Sequence, residues 1–457
     1  MAVLEKPNII LIMTDHFRPD AIGRSTPNLM RLVNNGTKFE NAYSGAPLCQ
    51  PSRVSIVTGM YPSQNGICGN MTPPIPDDLR DDTFMNHLQD AGYYTALIGK
   101  HHYIDAYGLG IDVVTEQDEA IKQYGFDHVW QVVDCDENLH NDDRYTQYLR
   151  EKGLLDMYRS EIKKHASQCG PYPLDEEDCE DGYIGRIGRE FVAEYDSDKP
   201  FYLNLSFVGP HPPYWHPNDL QHDPQKMSAP LGAPDSELVR ERRAHYMDKC
   251  TIIDRTIGKL LDTLEEKDIL DQTVIIFVSD HGDNLGDFGI WDKRFFYEQS
   301  AGVPMIFHGP GIRRGDRNVG GKNSKALVSL IDLYPTILSL AGMDTHDVMK
   351  NRDGLDLLKI LNEEQGAFRD ELYSELGTSV MIRHGNWKLV YDPEQGGVQY
   401  LFNLANDPTE EHNLAGVAGY EHMTLNLVQR ILSRYILQRQ FTHDKEERRV
   451  QKVRMAK

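Results

Sequence analysis

The 457-residue chain predicts an α/β fold: a large, mostly parallel sheet flanked by helices, with a smaller C-terminal antiparallel sheet. Three observations carry this expectation. Residues 7–14, 93–98, 200–208 and 273–279 are continuous apolar runs, as strands buried on both faces should be. Helical sequence separates them, so the strands connect by crossovers and lie parallel. Each run ends in a polar cluster: Asp15-His16, Gly99-Lys100-His101-His102, Gly209-Pro210-His211 and Asp280-His281-Gly282. Parallel sheets bind ligands outside the carboxyl ends of their strands, which is where these clusters fall.

The remaining elements follow in order. Ser25-Thr26-Pro27 opens a helix that carries Leu29, Leu32 and Val33 inward and stops at Gly36. Residues 37–43 alternate like a strand, and a loop with Cys49 leads into another helix. Phe84, Leu88 and Ala91 sit at helical spacing before Gly92. Residues 103–179 are polar and irregular, and read as insertions and short helices rather than core. Residues 182–195 read as a helix, and 235–267 as a long one with Ile252, Ile253, Ile257, Leu260, Leu261 and Leu264 as its inner stripe. Residues 303–307 form a short strand, and 329–341 a helix closed by Gly342. Beyond Leu355 come four short strands at 371–375, 380–383, 386–391 and 399–402, then a helix near 420–437. This divides the chain into a catalytic unit at 1–365 (insertion about 103–180), a small sheet with its helix at 366–440, and a charged end at 441–457. That end reads as solvated, with a homo-oligomer contact as the alternative.

Composition bounds the function. A net charge of −22 and a pI near 5.2 exclude a general nucleic-acid binder. No apolar run reaches the length of a membrane span. The first run, 9–13, is too short for a signal-peptide core, so a cytoplasmic protein is expected, or a periplasmic or secreted one if a leader precedes it. Six cysteines in so long a chain make no disulfide framework; free thiols are expected, with a Cys169–Cys179 pair as the alternative.

The most informative stretch is Leu48-Cys49-Gln50-Pro51-Ser52-Arg53. Pro51 suits the first turn of a helix, which places Cys49 just ahead of a helix N-terminus, where free N–H groups favour an anion. Arg53, one turn in, adds a positive fork matched to tetrahedral oxyanions. Taken alone, a lone Cys is more often a small buried hydrophobe than a nucleophile. Asp15, Asp280 and His281 at strand ends are hard or borderline metal donors suited to Ca²⁺, Mg²⁺ or Mn²⁺.

The Cys49 stretch, with Thr58-Gly59 after it, resembles the signature that formylglycine-generating enzymes read in sulfatases. The chain thus resembles the type I formylglycine-dependent sulfatases of the alkaline phosphatase superfamily. Gly99-Lys100-His101-His102 is similar to that family's Gly-Lys-x-His, Pro210-His211-Pro212-Pro213 to its Pro-His-x-Pro, and 286–293 to its closing loop with Lys293. Leu401-Phe402-Asn403-Leu404, Asp407-Pro408, Glu411 and Asn413-Leu414 resemble its ending. One departure is Asp15-His16, where many sulfatases carry two acids. His16 either replaces the second carboxylate as a metal ligand, which tilts the metal toward Mn²⁺, or turns away.

The resemblance implies hydrolysis of a sulfate monoester, of a sulfated sugar or another small ester. Cys49, oxidised to formylglycine by a maturation enzyme and hydrated, would supply the nucleophile. Asp15, His16, residue 49, Asp280 and His281 would hold the metal, Ca²⁺ first with Mn²⁺ or Mg²⁺ as alternatives. Arg53 and Lys100 would polarise the nucleophile, while Lys100, His211 and Lys293 grip the sulfate. His211 would be the general acid, and His102 the base that frees sulfate. A phosphonate monoester hydrolase or phosphodiesterase is the alternative within the superfamily: Ser52 speaks for the sulfatase, Asp15-His16 and the missing leader against it. A non-catalytic anion-binding protein with Cys49 unmodified is the alternative outside it. Tyr103, Asp105, Tyr107, Trp130, Asp134, Asp136, Tyr214, Trp215 and His216 are candidates to line the leaving-group side, with ordinary packing the competing reading.

Overall fold

Residues 9–14 are buried along their whole length, as their unbroken apolar pattern requires, and they form the centre of the molecule. Each fully buried Ile in such a strand contributes about 2–3 kcal/mol of burial free energy. The computed structural model describes residues 6–455 except 72, 105–109, 111, 135–136, 166–168, 218–220, 313–320 and 363–367. Among these, one sheet has eight strands, in the order β10 (Lys322–Ser329), β2 (Thr37–Tyr43), β9 (Met305–His308), β8 (Thr273–Ser279), β1 (Asn8–Thr14), β6 (Phe201–Ser206), β3 (Tyr94–Gly99) and β4 (His128–Gln131). Neighbours pair in parallel, except that β9 runs antiparallel to both β2 and β8. The expected α/β sheet is therefore present. A two-stranded pairing joins β5 (Gly170–Pro171) to β7 (Trp215–His216).

Helices cover both faces: α1 (Pro27–Asn35), α2 (Cys49–Thr58), α3 (Phe84–Asp90), α4 (Glu180–Glu194), α5 (Glu237–Glu266) and α6 (Leu333–Leu340). The inner stripe expected for α5 is buried throughout, against Ile10, Ile12 and Leu205 of the sheet. On the other face, Val54, Ile56 and Val57 of α2 pack with Phe84 and Leu88 of α3 and Ile337 of α6.

The C-terminal sheet is antiparallel, β11 (Glu371–Leu376), β12 (Ser379–His384), β13 (Trp387–Asp392) and β14 (Gly397–Asn403), as expected. Its Ile382, Leu389 and Leu401 share a core with Tyr61, Ile331 and Leu427, the last on α7 (Glu421–Met455).

Four details differ from the sequence reading. The described part of 103–133 is not outside the core: β4 extends the main sheet, and Tyr103, Ile121, Tyr124, Phe126 and Val129 are buried in it. β4 is too short, and too polar at His128 and Gln131, to register as an apolar run. β10 was hidden because its first half, Lys322-Asn323-Ser324-Lys325, is an edge strand with a polar face; it meets the expected 329–341 helix only at Ser329. Cys49 is the first residue of α2 rather than the one before it, with Leu48 as the N-cap. The charged end continues α7 to Met455 instead of leaving it at 437. No helix among the described residues is long and apolar enough to cross a membrane. Cys49, Cys68, Cys169, Cys179 and Cys250 are free thiols.

Candidate active site

Four adjacent strands, β8-β1-β6-β3, end side by side and parallel, about 4.8 Å apart. That order brings Asp280, Asp15, the 207–211 turn and Lys100 into one row across 265 residues of sequence. The ladder continues past the strands: Asp280 N–H donates to Thr14 O, Asp15 N–H to Gly209 O and Lys100 N–H to Ser206 O. Helix α2 aims its first residue at this row. Ser52 Oγ ties the helix down by donating to Asp280 O at 2.7 Å.

Asp15, Cys49, Asp280 and His281 form a four-donor cluster, all buried, whose ligand atoms lie within 4.8 Å of one another. Cys49 Sγ is 3.2 Å from His281 Nε2 and 3.7 Å from Asp15 Oδ1, and His281 Nε2 is 3.4 Å from Asp15 Oδ1. His281 Nδ1 lies 2.9 Å from Gly282 O, a contact that would leave Nε2 to face a cation, as metal-binding histidines are held; against burial, Asp280, Cys49 and Asp15 raise the pKa of the ring to about 9. Gly282 admits no side chain, because a Cβ would meet Gln299 O at 2.0 Å. Burial and the facing Asp15 push the Asp280 carboxyl upward. Two buried carboxylates that repel each other, a thiol and an imidazole make a donor set that fits a divalent cation.

Around this cluster stands a set of cations. Burial and Asp15 oppose ionisation of the Cys49 thiol, yet Lys293, Lys100 and His281 overcome both and hold it well below its usual value. Lys293 Nζ is 3.1 Å from Cys49 Sγ, 2.8 Å from His16 Nε2 and 2.9 Å from His211 Nε2. Lys100 Nζ donates to Asp15 Oδ2 at 2.5 Å and to both oxygens of Asp134 at 2.6 Å. Arg53 donates through Nε to Asp280 Oδ2 at 2.7 Å and through Nη1 to Lys100 O and Ser206 Oγ. Its buried Nη2 has no hydrogen-bond partner and lies 3.6 Å from Asp15 Oδ2.

His211 stands on a turn whose Gly209–Pro210 and Pro212–Pro213 bonds are cis. Its Nδ1 lies 2.5 Å from Pro212 O, and its ring meets that of His16 edge-on at 4.6 Å. His16 Nδ1 bonds Asp283 Oδ2 at 2.8 Å, and Tyr214 OH donates to that same oxygen at 2.6 Å. Burial, then Lys293, His281 and His211, press the His16 ring well below its usual value, so it is neutral, with Nε2 as acceptor. His16 groups with Asp15 and His211 rather than with the four donors at Cys49. His102 is buried behind Lys100, both ring nitrogens lack a hydrogen-bond partner, and with Lys100 and Asp134 it lines a small cavity.

The fold thus collects Asp15, His16, Cys49, Arg53, Lys100, His211, Asp280, His281 and Lys293 around one point. Sequence reasoning missed Asp283, which orients His16. A buried imidazole beside an ammonium needs a carboxylate behind it, and that requirement could have drawn attention to the acid three residues after Asp280. Several residues expected on the leaving-group side are packed instead. Tyr103 stacks on Tyr124, Trp130 Nε1 donates to Tyr183 OH under the Arg144 guanidinium, and His216 Nε2 meets His245 Nδ1 at 2.6 Å. Asp105, Tyr107 and Asp136 lie outside the described residues.

A set of cations beside a carboxylate-rich donor cluster, at the carboxyl edge of a mostly parallel sheet, suits an enzyme that acts on oxyanion esters. Comparison with known proteins narrows the class: the Sulfatase family matches residues 7–343, and the C-terminal region of N-sulphoglucosamine sulphohydrolase matches 286–436. The chain belongs to the sulfatase family and is a sulfuric ester hydrolase. It is 32% identical to a choline-sulfatase of Rhizobium meliloti (strain 1021), over 90% of this chain and 82% of that one. It is 29% identical to an arylsulfatase of Clostridium perfringens (strain 13 / Type A), over 91% of this chain and 92% of that one. In fold it is similar to a phosphonate monoester hydrolase from Silicibacter pomeroyi, with a TM-score of 0.77 and 22% identity over 94% of this chain and 96% of that one. Members of the sulfatase family use a formylglycine and a divalent metal.

Proposed function

We propose that this chain hydrolyses a small sulfate monoester, such as a sulfated sugar or a choline-like ester, with Cys49 converted to formylglycine. The observation that carries the reading is the set of cations around residue 49: Lys293 touches Cys49 and His211, while Lys100 and Arg53 bind the Asp15 and Asp280 carboxylates of the same four-donor cluster. Asp15, Asp280, His281 and residue 49 would hold the cation, Ca²⁺ with Mn²⁺ or Mg²⁺ as alternatives. Such a cation supplies concentrated positive charge beside the sulfate, and an aldehyde at residue 49 supplies a nucleophilic oxygen together with a route for sulfate release.

The chain's own residues do the rest. Arg53 Nη2, the unpartnered donor beside Asp15, is left to bind the oxygen that would replace Cys49 Sγ. Lys293 exchanges its Cys49 contact for a sulfate oxygen, and Lys100 binds a second one, so charge developing on the sulfuryl group meets fixed cations in a buried site. His211 donates a proton from Nε2 to the leaving oxygen, its ring held by the Nδ1 contact to Pro212 O. His102, with both nitrogens unpartnered, accepts the proton whose loss frees sulfate. His16 is a neutral acceptor for Lys293 rather than a ligand of the four-donor cluster. Residues 1–365 carry this chemistry, since every residue named falls there, with 366–440 as an adjunct.

The deciding experiment compares turnover of an aryl sulfate with that of a phenyl phosphonate monoester by protein made with a formylglycine-generating enzyme. The sulfate is expected to be the faster substrate; preference for the phosphonate would transfer the chain to the alternative hydrolase. Mass spectrometry of the Cys49 peptide, expected to show aldehyde in place of thiol, separates either enzyme from an unmodified anion-binding protein.

A further inference from the structure

Two buried charges outside the reaction centre hold the turn that carries His211. Lys249 on α5 donates through Nζ to His211 O at 2.8 Å and lies 3.5 Å from Pro213 O. Asp181 on α4 accepts from the Gly209 backbone N–H at 2.8 Å. Position 209 admits only glycine against that carboxylate, since a Cβ would lie 2.2 Å from Asp181 Oδ2. Gly209 O in turn accepts from Asp15 N–H, so the same peptide unit registers the turn against the strand end that bears Asp15. Both side chains are more than nine-tenths buried, and with Glu180, Pro213 and Trp215 they line a cavity of about 30 Å³, the size of one water. A buried ammonium and a buried carboxylate are expensive to place. Here they are placed on three backbone groups of one short turn.

We propose that Lys249 and Asp181 are positioning residues: they fix the turn on either side of His211 and so aim its Nε2 at the leaving oxygen, without touching substrate. This rests on the assignment of His211 as the general acid. The geometry explains why an acid so exactingly needed stands on a turn rather than on a strand or helix. The 209–213 segment has few ladder bonds of its own, and side chains from two helices supply the missing constraints. A lysine suits the task because its point charge serves two carbonyls that diverge.

A leaving-group series tests this. Phenyl sulfate releases a phenoxide as basic as that of tyrosine, with a pKa of about 10, and needs the acid; a nitrophenyl sulfate leaves nearly unaided. Misaiming a proton donor by a fraction of an ångström is expected to cost tenfold to a hundredfold, on the order of the effect of other catalytic misplacements. Lys249→Met should therefore lower kcat/KM for phenyl sulfate by at least about tenfold while changing the nitrophenyl ester less than about threefold. Equal losses on both esters, or none on either, would overturn the proposal, since a merely structural residue does not discriminate leaving groups. His211→Ala, run alongside, separates the two layers. If it too spares neither ester, the acid assignment itself fails; if it is selective and Lys249→Met is not, only the positioning role fails. Should Lys249→Met not accumulate as folded protein, the pair Asp181→Asn and Asp181→Ala decides. The amide keeps an acceptor for Gly209 N–H and should retain phenyl sulfate turnover, and the alanine should lose it selectively; indistinguishable behaviour of the two would refute the role.

Discussion

Lys293 Nζ lies 3.1 Å from Cys49 Sγ, 2.8 Å from His16 Nε2 and 2.9 Å from His211 Nε2. One ammonium therefore links the residue proposed to attack, the residue proposed to protonate and a neutral imidazole. Its own pKa is raised: burial opposes the charge, but Cys49, Asp15 and Asp292 outweigh it. Lys293→Met should lower kcat/KM for an aryl sulfate by about 10²–10³, the usual cost of deleting one preorganised charge donor. Lys293→Arg should not restore it, because a planar fork cannot meet three partners arranged around one compact ammonium. Steady-state kinetics on protein with fully converted residue 49 reads the effect, and wild-type rates in either variant would remove Lys293 from the site.

Asp283 fixes the proton of His16 on Nδ1. In Asp283→Asn the amide can present N–H to that nitrogen, which moves the imidazole proton to Nε2, opposite an ammonium that also donates. The expected result is a loss of about tenfold to a hundredfold in kcat, as for other groups that orient a functional imidazole. A melting temperature near that of the wild type would show that the loss lies in the site; unchanged kcat would mean that the tautomer of His16 is irrelevant.

Removal of the divalent cation should cost stability as well as activity. Asp15 and Asp280 face each other in a buried cluster, and burial together with Asp15 pushes Asp280 up. A cation at a hundred times its Kd adds about 2.7 kcal/mol to the folded state. Thermal denaturation after chelation, then with Ca²⁺, Mn²⁺ or Mg²⁺ restored singly, should rank the metals by the shift each returns. Asp280→Asn should flatten that response, and a wild-type protein indifferent to all three would contradict the donor set.

Much of this arrangement was legible before any coordinates, for a physical reason. Strands buried on both faces must be apolar throughout, so the polar residues that end them (Asp15, Lys100, His211, Asp280) stand out as a break in pattern. Parallel pairing then puts those breaks on one edge. What stayed hidden depended on partners supplied by the fold. Asp283 looks like any acid in a polar loop until His16, 267 residues away, is placed against it. β4 and β10 owe their strand character to neighbours β3 and β2 rather than to their own residues. Tyr103 and Trp130 looked like substrate platforms only because the core beneath them was not foreseen.

His101 offers a pH test that is independent of catalysis. It is 3% exposed, its Nε2 lies 2.8 Å from Gln131 Oε1, and its Nδ1 accepts from Tyr103 N–H at 3.0 Å. That pair of bonds defines the neutral ring. Burial, reinforced by the charges of His102, Arg53 and Lys100 and only partly offset by the Gln131 contact, lowers its pKa to about 3. In the unfolded chain the ring titrates near about 6.5. Between those values the unfolded state binds the extra proton, so stability is full above about pH 6.5 and falls as the solution is acidified toward 3, with no further loss from this group below that. The span is worth on the order of 5 kcal/mol if the native packing holds throughout. His101→Asn, which does not titrate, should be less stable than wild type at pH 8 but lose less on acidification to pH 5. Urea unfolding at the two pH values measures both slopes; parallel slopes would show that His101 is not buried as a neutral ring.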